Sequence, residues 1–140
     1  MPLVIELKSG DKLIVNGAVV ENVGSNTKLK ILNKASLLRG KEVMSESQSR
    51  TPATRVYFAL QCAYIFPEKR ADYLEAFRTY IHDYAEASPS AAPIVQSILS
   101  EVRDDQLYRA LKTATKLVEH EEELMRITGI TLVSADPSSS

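Results

Sequence analysis

The sequence predicts an α+β protein, a small N-terminal antiparallel β unit followed by an antiparallel bundle of three or four helices. Three observations predict it. The first third alternates apolar and polar residues at strand spacing around an Asn-Gly pair, and the remainder repeats apolar residues every three or four positions. The change of period falls at a polar stretch that ends in Thr51-Pro52. The expected divisions are a basic β unit over 1–44, a linker over 45–51, a helical bundle over 52–129, and a short apolar remnant with a frayed tail over 130–140.

Leu3, Ile5 and Leu7 alternate with Val4, Glu6 and Lys8, the period of a half-buried strand. Two β-branched runs, 12–15 and 18–21, flank Asn16-Gly17, a pair that accepts positive φ at both central positions of a type I′ hairpin turn. Residues 27–32 read as another strand and 36–39 as a fifth. Pro52 then opens a helix capped by Thr51, since the first turn does not need the missing N–H. Residues 56–66 are apolar on nearly every side except at Gln61, which marks a surrounded helix that ends at Pro67. Leu74, Phe77, Ile81 and Tyr84 form the stripe of a second helix, and Ile94, Ile98, Leu99 and Val102 that of a third. Asp104-Asp105 is expected to open a fourth, because carboxylates suit the positive end of a helix dipole. That helix carries Leu107, Leu111, Ala114, Leu117, Val118, Leu124 and Met125 on one side and stops near Gly129.

The net charge of −1 hides an asymmetry. Residues 1–55 hold nine Lys or Arg against five Asp or Glu, whereas residues 56–140 hold eight against thirteen. Residues 22–41 contain Lys28, Lys30, Lys34, Arg39 and Lys41 and no acid at all. These five, with Lys8 and Lys12, are the candidate binding residues, because cations that neutralise phosphates and release counterions gain affinity for nucleic acid without reading sequence. On a strand, Lys28 and Lys30 leave the same face while Leu29 enters the other. The same pattern also suits a solvated strand face.

Catalytic signatures are missing. No phosphate-cradling glycine loop, nucleophile elbow or metal-ligand spacing occurs, so no enzyme, cofactor or metal is expected. Cys62, the single cysteine, lies in an apolar run and reads as core in a reducing, cytoplasmic compartment. No apolar run approaches the roughly 18 residues of a membrane helix, and no signal peptide is visible. His120 stands among Glu119, Glu121, Glu122 and Glu123. Carboxylates at adjacent positions fan around a helix, so this cluster reads as a solvent-facing ion-pair group. Tyr57, Phe58, Tyr64 and Phe66 read as core. No Phe, Tyr or Trp precedes Tyr57, which excludes base stacking on aromatics as the binding mode of the β unit.

The runs 1–22 (MPLVIELKSGDKLIVNGAVVEN), 51–64 (TPATRVYFALQCAY), 90–93 (SAAP) and 107–112 (LYRALK) together resemble the flagellar biosynthesis repressor FlbT family over about residues 1–128. The resemblance implies a post-transcriptional regulator that associates with the 5′ untranslated region of flagellin mRNA and promotes its degradation. It also implies a functional association with the flagellar regulator FlaF. Separately, 7–15 (LKSGDKLIV), 29–35 (LKILNKA) and 37–43 (LLRGKEV) look like the carbon storage regulator family, whose members bind mRNA leaders as an interlocked dimer. Arg39 matches that family's last-strand arginine. Its first-strand basic position holds Leu7 here, with Lys8 beside it.

The expectation is an RNA-binding repressor whose partner is the flagellin mRNA leader, with a homodimer as a further possibility and no membrane. The competing expectation is a protein-binding module, or chaperone-like adaptor, that docks flagellin or an assembly factor through a groove between amphipathic helices.

Overall fold

A computed structural model describes residues 3–129, so the apolar remnant and tail expected over 130–140 lie outside the described residues. The chain divides into two compact units, the first ending at Val43 and the second starting at Met44.

In the first unit five short strands form two antiparallel sheets. β1 (Leu3–Leu7) pairs with β4 (Thr27–Ile31), and β2 (Lys12–Val15) lies between β3 (Ala18–Glu21) and β5 (Leu37–Arg39). The Asn-Gly turn forms as its residues require. Asn16 and Gly17 sit at φ 50° and 87°, joining β2 to β3 with Val15 opposite Ala18. Alternation then selects the interior. Ile5, Leu7 and Leu13 are buried, and Val15, Ile31 and Leu37 pack against them, so each sheet turns one face to a shared cluster. The partners of β1 alternate accordingly, Ile5 facing Leu29 and Glu6 facing Lys28.

The second unit is helical: α1 (Pro52–Ile65), α2 (Arg70–Ala87), α3 (Ala92–Arg103) and α4 (Leu107–Thr128). α1 packs against both α2 and α4, and α3 packs on α4. That central place is why α1 is apolar nearly all round, with Val56, Leu60 and Ala63 fully buried. Thr51 caps it reciprocally with Thr54. The Thr51 hydroxyl accepts from the Thr54 N–H at 3.3 Å, and the Thr54 hydroxyl accepts from the Thr51 N–H at 2.9 Å. Gln61, the polar exception, is buried. Its amide accepts from the Met44 N–H at 2.7 Å and donates to the Met44 carbonyl at 2.8 Å, which fixes the start of the unit. Residues 45–51 carry a single 3₁₀ turn, Glu46–Gln48.

Two expectations are corrected. Asp104-Asp105 closes α3 and does not open α4, which starts at Leu107 after Gln106. Asp105 adopts φ 59°, a conformation Asp tolerates, and returns its N–H to the Val102 carbonyl at 3.1 Å while Gln106 bonds to Glu101 at 2.8 Å. The end of one helix therefore consumes the acidic pair.

The acidic run around His120 is also not uniformly solvent-facing. Glu121 is 1% exposed and accepts a hydrogen bond of 2.9 Å from the Ala53 N–H in the first turn of α1. A carboxylate there satisfies one of the donors a helix leaves unpaired and faces the positive end of its dipole. Burial raises the Glu121 pKa, opposed by the hydrogen bonds from Thr51 and Ala53. His120 is held on both sides, with Nδ1 2.8 Å from the Tyr84 hydroxyl and Nε2 2.9 Å from the Ser90 hydroxyl. Burial, then the neighbouring Glu121, pushes the Tyr84 phenol up to about 12, so it keeps its proton at neutral pH.

Two outcomes are expected. Gly17→Val forces a branched side chain into left-handed backbone and destabilises the β unit by roughly 1–2 kcal/mol, measurable as a loss in urea midpoint. The raised pKa of Glu121 means that the folded chain binds its proton more tightly than the unfolded chain. Its contribution is therefore fully present below the ordinary carboxylate pKa and is lost as pH rises through the raised folded value. Glu121→Gln keeps an acceptor for Ala53 and removes that pH dependence from the melting temperature. Glu121→Ala leaves the Ala53 N–H unpaired and costs about 1–3 kcal/mol.

Candidate functional site

The β unit contains a hollow of about 280 Å³ lined by Glu6, Leu7, Lys8, Asp11, Lys12, Arg39, Gly40 and Lys41. Three stretches distant in sequence converge there: the end of β1 with its turn, the start of β2, and the end of β5 with the 3₁₀ turn Gly40–Glu42. Four cationic side chains meet two carboxylates, so the lining is net positive. A concave surface of net positive charge favours a bound anion.

Local chemistry builds each wall. Gly10, at φ 85°, lets the chain reverse between β1 and β2, and Asp11 closes the turn by accepting from the Lys8 N–H at 2.9 Å. Asn22 braces the turn from outside. Its side-chain amide donates to the Leu7 carbonyl at 3.1 Å and the Ser25 carbonyl at 2.9 Å, and its backbone carbonyl accepts from the Gly10 N–H at 2.7 Å. Asn26 accepts from the Ser9 N–H at 3.0 Å. On the other side, Glu42 accepts from the Arg39 N–H at 2.9 Å and so caps the 3₁₀ turn. Gly40 allows that turn to lie against β2, because a Cβ there would stand 3.3 Å from the Lys12 carbonyl oxygen. A side chain there would require the Lys12 backbone to give by a few tenths of an ångström.

Of the seven candidate residues, Lys8, Lys12, Arg39 and Lys41 come together at this hollow. Lys28 and Lys30 are exposed on β4, where Lys28 stands opposite Glu6 and Lys30 opposite Val4, so Glu6 belongs to the hollow and to the β4 cation row alike. Lys34 is exposed in the loop between β4 and β5, apart from the lining. The acidic members, Glu6 and Asp11, and the bracing Asn22 and Asn26 were not singled out from sequence. Asn22 carried no spacing signal, since its bonds reach residues on both sides of a hairpin.

The helical unit offers less. Cys62 is buried, and burial followed by the nearby Glu46 carboxylate raises its thiol pKa, which leaves it a poor nucleophile. Tyr57 is buried, whereas Tyr64 packs on Tyr108 at 5.5 Å between ring centroids and the Lys112 ammonium lies 5.7 Å from the Tyr108 ring. Among the described residues no three His, Cys, Asp or Glu side chains are grouped to hold a metal ion. Within the same residues no helix is long and apolar enough to cross a membrane.

Comparison with known proteins adds a family. The family model described as "Flagellar protein FlbT" matches residues 3–125. The chain is 34% identical to the probable flagellum biosynthesis repressor protein FlbT 1 of Bradyrhizobium diazoefficiens over 125 residues, covering 89% of this chain and 85% of that protein. It is likewise 34% identical to the flagellum biosynthesis repressor protein FlbT of Caulobacter vibrioides, covering 88% of this chain and 89% of that one. A probable FlbT of Rhodopseudomonas palustris is 29% identical over 89% of this chain and 98% of its own. No solved structure matches. With a family match running from the first described strand into the last helix, and relatives of equal span, this chain belongs to the FlbT family.

Proposed function

We propose that this protein represses flagellum biosynthesis after transcription, in the cytoplasm, by associating with the 5′ untranslated region of flagellin mRNA and promoting its degradation. The observation that carries the reading is the convergence of Lys8, Lys12, Arg39 and Lys41 on one hollow of the β unit. Relatives of matching length named as flagellum biosynthesis repressors support the biological setting.

The chemistry of contact follows from composition. With no aromatic residue before Tyr57, the β unit holds RNA by ion pairs to phosphates and by hydrogen bonds to base edges. Arg39 is the natural bidentate donor, since its planar guanidinium matches two phosphate oxygens or the edge of a base, whereas the lysines act as point charges. Glu6 and Asp11 supply acceptors at the same hollow, a combination suited to amino groups on unpaired bases. Lys28 and Lys30 extend the cationic surface along β4, and Lys34 extends it into the following loop.

Titration of the full-length protein against the flagellin leader and a scrambled leader, at two salt concentrations, tests the reading. Tighter binding to the true leader, weakening with salt, is expected. Replacing Arg39 and Lys41 together by Ala removes two phosphate contacts and lowers the slope of log Kobs against log salt by about 1.4, with helical ellipticity unchanged. Equal binding to both RNAs, or none, overturns it and transfers the function to the helical unit and a protein partner such as flagellin.

A further inference from the structure

β3 is an open edge of its sheet, and Glu21 is its one charged residue. Its four residues, Ala18–Glu21, are all exposed, with Val19 at 67% and Val20 at 39%, and the strand contains no lysine, proline or bulge of the kind that blunts natural edges. The unit around it is rich in uncovered apolar surface. Seven of the nine large apolar side chains exposed among the described residues belong to this first unit, although it is much the smaller of the two. Three of the seven, Val19, Val20 and Val23, lie on β3 or just beyond it.

The backbone states which groups are available. In the two-residue hairpin, Val15 and Ala18 form the hydrogen-bonded closing pair, and the pairs alternate from there. Val20 therefore bonds inward to Leu13, and Asn22 also turns inward, its N–H reaching the Asp11 carbonyl at 3.0 Å. Val19 and Glu21 turn their N–H and C=O groups outward along the free edge.

We propose that β3 pairs antiparallel with β3 of a second copy of this chain, about a two-fold axis at Val20, joining two three-stranded sheets into one of six strands. In this register Val19 of each copy exchanges hydrogen bonds with Glu21 of the other, and the two Val20 side chains meet in the close, non-bonded pair. No like charges are opposed, because Glu21 faces Val19, and across the hairpin Glu21 stands opposite Lys12. The other edges are poorer. β4 paired with itself about Leu29 would set Lys28 against Lys30, a destabilising like-charge pair, and β5 has only three residues. β1 already buries Ile5 and Leu7, whereas β3 buries nothing. A strand whose pattern complements itself is best served by an identical strand, which makes a closed, isologous pair.

The test uses the full-length protein. Sedimentation velocity is expected to show a dimer at micromolar concentration that Val19→Pro converts to monomer, because proline removes an outward N–H without breaking the ladder to β2. Under mild oxidation Val20→Cys is expected to give a covalent dimer rapidly. Val23→Cys, which falls opposite Gly17 in this register, cross-links far more slowly despite its 89% exposure. A monomer at all concentrations overturns the proposal. So does a dimer that survives Val19→Pro, or cross-linking no faster at 20 than at 23. If Val19→Pro disrupts the ellipticity of the chain, the ratio of the two cysteine rates decides.

Discussion

A β unit that ends at Val43 has little interior, and that shortage of interior governs the rest of the first unit. Strand alternation sends Ile5, Leu7 and Leu13 inward, with three partly buried neighbours around them, and on the other face of the β2–β5 sheet only Ile14 and Leu38 are buried. Polar ends of strands and turns therefore crowd together. Lys8, Lys12, Arg39 and Lys41 surround a hollow because the short strands bring their ends to one place, while β3 is left as an open apolar edge. The feature that suits RNA and the feature that suits a second copy are thus two results of one constraint. Pairing through β3 would place two such hollows on one sheet, and an RNA contacting both would gain by effective concentration without any new contact.

The helical unit solves the opposite problem. α1 is so thoroughly surrounded that few of its groups reach water, and its first turn would leave N–H donors unpaired. Glu121 supplies the acceptor from α4, 68 residues along the chain from Ala53. The same helix positions His120 between Tyr84 and Ser90, tying α4 to α2 and to the connection before α3. These polar links fix the register of α4 against its neighbours, which apolar stripes alone leave free to slide.

The α+β class and the five strands were legible because period and turn chemistry agree there: Asn16-Gly17 permits little else between two β-branched runs. The helical stripes were legible for the same reason, and Phe77, Ile81 and Tyr84 are buried as their spacing requires. Two readings failed through rules applied at too short a range. Asp104-Asp105 carries the composition of a helix start, but one positive φ at Asp105 lets the preceding helix end there. Glu121 looked solvated beside three other acids, yet it lies seven residues after Ala114 on the buried stripe, so periodicity outranked local charge. At the site, charge identified the cations but not their grouping. Arg39 and Lys8 meet through strand topology, and Lys34 stays apart because a loop carries it away.

Photo-cross-linking of the full-length protein to a flagellin leader containing 4-thiouridine, followed by mass spectrometric mapping of the modified peptides, tests the central claim most directly. Cross-links within residues 6–12 and 37–41 are the expected result, placing RNA at the hollow of the β unit. Cross-links confined to residues 52–129, or none above the level of a scrambled RNA, would contradict it.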